Sequence, residues 1–243
     1  MVIMIPKKRQ PRHFAIAGGH QVQQSNLGYE CSLDEVIRDV ERAVDVIARD
    51  SHRVKGLILS ENDLKCSLYR KLYPMYSEPV QTLDRDILAI TLHAEIPWYD
   101  EHGLLTLRPD LSIIDPRKLS ILHGIGEHPR RNTVQHFRLP SKGFEFGGQA
   151  VAIETKFVRA LAGISQKHVL SFQKDVDKMQ RLCERHNLNS QNPNVKGVLV
   201  IFSKTEKGKH HIDEFKHMNS ILMDIKILYH NAGVVQSAQF RRR

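Results

Sequence analysis

Residues 152–157, Ala-Ile-Glu-Thr-Lys-Phe, constrain this chain more than any other stretch. Val151, Ile153 and Phe157 mark a strand bound for the interior, yet it carries an acid, Glu154, and a base, Lys156. Strand side chains alternate between faces, so Glu154 and Lys156 project together while Thr155 points away. Burying such a pair is costly unless something uses it. The segment Arg-Pro-Asp-Leu-Ser-Ile-Ile-Asp at 108–115 reads as a second strand and adds Asp110. Two carboxylates and an ammonium among apolar neighbours suit a divalent cation and a phosphodiester. Hard oxygen ligands hold the cation, and positive charge meets the phosphate.

The periodicity around these segments predicts the rest of the fold. Ser32-Leu33-Asp34-Glu35 is a capping box, and Leu33, Val36, Ile37, Val40, Val44 and Ile47 follow helical spacing to about Asp50. Ser60-Glu61-Asn62-Asp63 opens a second helix with Leu64, Leu68 and Leu72 on one side, which Pro74 is expected to end. The period then changes to two, and 86–97, 104–115 and 145–157 read as three strands, with a bulge or bend at Gly147-Gly148. Phe172, Val176, Met179 and Cys183 mark a helix, and 198–202 a buried strand. Phe215, Met218, Leu222, Ile225 and Tyr229 are spaced for a closing helix. That order predicts an α/β sandwich with a mixed sheet.

Pro109-Asp110 followed by Glu154-Thr155-Lys156 resembles the active-site pattern of the PD-(D/E)xK nuclease superfamily, which has the restriction-endonuclease-like fold. The resemblance spans roughly residues 55–205. It implies an α/β fold with an αβββαβ core, its mixed central sheet flanked by helices. It also implies that Asp110 and Glu154 bind Mg²⁺, with Mn²⁺ able to substitute, and that Lys156 orients or activates the attacking water. The Thr155 backbone carbonyl is a further ligand on the same footing. Many members add a Glu from the first core helix, and Glu61 fits that place as a catalytic and metal-binding residue. The positive end of a helix favours a carboxylate there, although a first-turn Glu is also ordinary helix-start chemistry. The long stretch between Asp110 and Glu154 departs from the tight hairpin common in the superfamily.

That stretch carries charge. From Pro116 to Gly143 it holds Arg117, Lys118, Arg130, Arg131, Arg138 and Lys142, with Glu127 as its only acid. Such a basic insertion, at about 116–143, is placed to hold phosphates, although a solvated loop has the same composition. The whole chain has 36 Lys and Arg against 27 Asp and Glu, a formal charge of +9, which suits a polyanionic partner. His93 and Glu95 share a strand face, and Gln166 opens the helix after the Glu154 strand. All three are candidates to support the metal site through hydrogen bonds. Asp175 and Asp177 lie on that helix, where related nucleases often carry polar residues facing the site, and by themselves read as its charged side, while Trp98 with Tyr99 reads as core-edge packing.

The expected organisation is a flexible basic N-terminal arm over 1–30 and a single nuclease-like domain over 31–243. Three scattered cysteines without a C-x-x-C pair argue against a disulfide framework or zinc knuckle, and no nucleotide-binding glycine motif is present. No apolar stretch approaches the roughly 18 residues of a membrane span, so a cytoplasmic chain without a membrane partner is expected. The implied activity is metal-dependent endonucleolytic cleavage of DNA, with room for a homodimer or a larger nuclease assembly. The alternatives are a catalytically inactive DNA-binding or assembly protein on the same fold, and a basic RNA- or ribosome-associated protein. Carboxylates on one strand face disfavour the last, since they repel phosphate unless a metal intervenes.

Overall fold

A computed structural model of the chain describes residues 32–84, 87–99, 105–120, 145–187 and 194–233. Helices α1 (Leu33–Arg53) and α2 (Glu61–Tyr76) come first. Strands β1 (Val80–Gln81), β2 (Leu88–Ala89), β3 (Leu92–Ala94), β4 (Trp98–Tyr99), β5 (Leu105–Leu107) and β6 (Leu111–Ile114) follow. After a short 3₁₀ turn come β7 (Leu119–Ser120), β8 (Glu145–Phe146) and β9 (Ala150–Val158). The chain continues through α3 (Gln166–Asn187), β10 (Val195–Ser203), α4 (Lys209–Met218) and β11 (Ile225–Asn231).

Both helix starts form where the sequence predicts them. Ser32 Oγ accepts from the Glu35 N–H while the Glu35 carboxylate accepts from the Ser32 N–H, and Ser60 with Asp63 repeats the arrangement. Pro74 does not end α2, which runs through it to Tyr76. Pro74 forfeits one intrahelical hydrogen bond, and the fully buried Leu64, Leu68, Leu72 and the nearly buried Tyr76 hold the last turn in place.

Among the described residues the main sheet has five strands in the order β11-β10-β9-β6-β3. Strands β9, β10 and β11 are mutually parallel, while β6 is antiparallel to both β9 and β3. Helices α1 and α2 cover one face over Leu92, Leu111, Val151, Ile153, Val198 and Phe202. Helices α3 and α4 cover the other over Ala152, Leu199 and Ile201. The result is a three-layer α/β/α sandwich of mixed strand direction.

Two expectations need correction. The predicted three long strands are broken. Glu95 adopts φ 53°, which turns the chain at the end of β3, Pro109 separates β5 from β6, and Gly147-Gly148 separate β8 from β9. The shorter pieces pair as separate two-stranded ribbons, β1 with β2, β4 with β5 and β7 with β8. The closing helix stops at Met218, and Ile225 and Tyr229 belong to β11, parallel to β10. Helical spacing of five apolar residues outweighed the Asn219-Ser220 turn and the β-branched pair Ile225 and Ile227.

The described residues pack as one unit, and the calls on residues 1–30 lie outside them. So do Arg130, Arg131, Arg138 and Lys142, leaving Arg117 and Lys118 as the described part of the basic insertion. Of the cysteines, Cys183 is buried, with its thiol pushed up to about 12 by burial, while Cys66 is exposed. Among the described residues no helix is long and apolar enough to cross a membrane.

Candidate active site

The candidate residues meet towards the C-terminal end of β9, beside the start of β6 and the N-terminus of α2. Ladder pairing of Leu111 with Ile153 sets Asp110 one step further on, abreast of Glu154. At that point β6 has ended, and the Thr155 N–H has no ladder partner on that side. Asp110 supplies one: its Oδ2 accepts from Thr155 N at 2.8 Å and from Thr155 Oγ1 at 2.5 Å. Thr155 is wholly buried, so this contact fixes the Asp110 carboxylate against the strand.

Glu154 and Lys156 face the α3 side together, as strand alternation requires. Lys156 Nζ donates to Glu154 Oε1 at 2.8 Å and also lies 3.3 Å from Asp175 Oδ2 and 3.6 Å from Glu61 Oε1. Glu61 reaches the same strand a second time, its Oε2 accepting from the Phe157 N–H at 3.4 Å. One ammonium thus stands among three carboxylates from β9, α2 and α3. Burial alone would lower its pKa, but Glu154, Asp175 and Glu61 outweigh burial and hold it above the ordinary lysine value. Glu154 is also shifted upward. Burial lifts its carboxyl above the usual value and the charges of Asp110 and Asp175 add to the lift, while Lys156 opposes it. Its second oxygen, Oε2, is buried and accepts no hydrogen bond from the described residues.

Asp175 belongs to this cluster, although its sequence position reads as the charged side of α3. It is 9 % exposed and also accepts from Lys178 at 3.1 Å. The signal was present: Asp175 lies three residues after Phe172 and four before Met179, on the buried stripe. Lys65, which no sequence motif marks, pairs with Glu95 and sits 3.9 Å from Asp110 Oδ1. It follows Glu61 by four residues, the spacing that puts two helical side chains on one side.

The supporting candidates divide. Glu95 reaches the site edge through Lys65. His93 turns to its own chain, with Nε2 2.8 Å from the Ile90 carbonyl oxygen, and burial pushes its pKa down. Gln166 is the exposed first residue of α3. Arg117 forms a forked ion pair with Asp115, and Lys118 is exposed. Trp98 packs in the core, its Nε1 donating to Ser112 Oγ at 3.3 Å.

Among the described residues no group of three or more His, Cys, Asp and Glu is gathered closely enough to hold a metal by itself. No protein-family model, curated protein or solved structure matches this chain.

Proposed function

We propose that the chain is a metal-dependent DNA endonuclease of the PD-(D/E)xK type. In this reading Asp110 and Glu154 hold Mg²⁺ or Mn²⁺, with the Thr155 carbonyl and Glu61 as further ligands, and Lys156 meets the phosphodiester. Glu154 is the observation that supports it best: a largely buried carboxylate whose Oε1 takes Lys156 and whose Oε2 has no donor among the described residues. A buried oxygen in that state is costly, and it is the kind of hard donor a divalent cation takes up. Asp110 fits the same use. Its Oδ2 is committed to Thr155, and Oδ1 has Lys65 only at 3.9 Å.

Once bound, the cation would supply Lewis acidity to a phosphate oxygen and ease deprotonation of a water. The rest of the work falls to the chain. Thr155 holds Asp110 in one orientation, and Glu61 ties the start of α2 to the strand that bears Glu154 and Lys156. Lys156 has a raised pKa, so near neutral pH it carries its proton and acts as a positive charge rather than as a base. Its ammonium is set to orient the attacking water and to offset charge building on the phosphate. DNA as the substrate rests on the +9 charge and on the basic residues between the two halves of the motif.

One observation favours the alternative of a catalytically silent DNA-binding or assembly protein: Lys156 is already compensated on three sides. Nicking of supercoiled plasmid with and without Mg²⁺ separates the two. The expected result is Mg²⁺-dependent cleavage that Asp110→Asn and Glu154→Gln abolish. Lys156→Ala should lower the rate on the order of 10²–10³-fold with DNA binding retained, the usual loss for one positioned electrostatic group. Binding without cleavage under Mg²⁺ or Mn²⁺ selects the silent reading.

A further inference from the structure

Helix α2 touches both halves of the site, and its second contact has a distinct form. Glu61 reaches β9, while Lys65 one turn later points at Asp110. Lys65 is only 15 % exposed in its side chain, and Asp110 18 %, so their charges are poorly screened from one another. Yet Lys65 does not close on Asp110. It is drawn to Glu95, with which it makes a short ion pair. Glu95 is held for that task by its backbone. It adopts φ 53°, a left-handed conformation unfavourable for a residue with a side chain, and in that conformation its N–H donates to the Asp110 carbonyl at 3.1 Å. Glu95 is therefore fastened to the residue whose counter-ion it holds back.

We infer that Lys65 and Glu95 form a counter-ion device that sets how tightly the Asp110 end of the site takes a divalent cation. This rests on the nuclease reading above. Lys65 opposes cation entry as a resident positive charge beside Asp110. Glu95 weakens that opposition by holding the ammonium to itself. Glu95 also raises the Lys65 pKa, with Asp110 contributing in the same direction, so the charge persists across the neutral range. Lys65 and Glu95 are positioning residues in this scheme and touch neither water nor phosphate.

The scheme requires removal of the two paired charges, one on α2 and one just past β3, to act in opposite directions. Mn²⁺ binding to the full chain, followed by calorimetry and by the spin signal of free Mn²⁺, needs no substrate or turnover. Lys65→Met keeps the buried stem and should tighten Mn²⁺ by at least about tenfold, the size for a unit charge roughly 7 Å from a dication under water-like screening, with weaker screening adding to it. Glu95→Gln should weaken it several-fold, because Lys65 then turns to Asp110. Most of that weakening should vanish in the Lys65→Met background, and Lys65→Arg should restore parent-like affinity. Loss of affinity in both single variants, or an undiminished Glu95→Gln effect without Lys65, would overturn the proposal and mark the pair as plain scaffolding. If the parent shows no Mn²⁺ binding that Asp110→Asn removes, the nuclease reading fails and the device fails with it.

Discussion

His186 shows what burial does to a single group in this fold. It stands near the end of α3 with its ring edge-on to Trp98, centroids 5.5 Å apart. Burial pushes its pKa down from 6.5 to about 3. The unfolded chain therefore takes the proton first as pH falls. The contribution of neutral His186 is complete above pH 6.5 and drains away as pH drops through the folded value of about 3. His186→Phe keeps an aromatic edge against Trp98 and removes the titration. Its urea midpoint should fall less steeply than the parent's between pH 6.5 and 3, and parallel curves would refute this. At the same scale, strand alternation joined Glu154 to Lys156 because it is a strict rule, and the Pro109-Asp110 pattern added Asp110. Lys65 was not legible and Asp175 only ambiguously so, because helical charges are usually solvated and only the packing of α2 and α3 on the sheet turns these two inward.

Two loops meet beyond the parallel strands and fix the ends of the elements that carry the site. Gly163 follows β9 at φ 82° and Gly208 follows β10 at φ 74°, both in the left-handed region. The Ile164 N–H donates to the Lys207 carbonyl at 3.0 Å. A Cβ on Gly163 would run into that carbonyl oxygen, and one on Gly208 into the carbonyl oxygen of Ile164. Both obstacles are backbone, which has little room to yield. Gly163→Ala and Gly208→Ala should each destabilise by more than about 2 kcal/mol, read as a shift in urea midpoint at unchanged slope. Gly56, with nothing within 4 Å of its added Cβ, is the control that should tolerate Ala. Elements of this kind were legible where a local rule governs them, as at the two capping boxes. They were not where pairing decides, as in β11, whose strand state comes from a parallel register with β10 that no local window contains.

On the scale of the whole molecule the charge of +9 governs approach to a polyanion. If the basic segment between the two site strands follows a duplex backbone, neutralising Arg130 and Arg131 together should flatten the log–log salt dependence of DNA affinity by about 2, at roughly 0.9 per phosphate contact. Different DNA sequences should lose affinity alike, since phosphate contacts position without reading bases. An unchanged slope would put the contact surface elsewhere. The sandwich also fixes when such a site comes into being. Lys156 draws its partners from Glu154 on its own strand, from Asp175 on the next helix, and from Glu61 on a helix far earlier in the chain. Contacts of that sequence separation close late, after the loops between them have been ordered. A fragment over 154–175 holds Glu154, Lys156 and Asp175 but lacks Glu61 and Asp110. A nascent chain would therefore carry the proposed chemistry only once its whole sheet is assembled, and partial unfolding would extinguish it in one step.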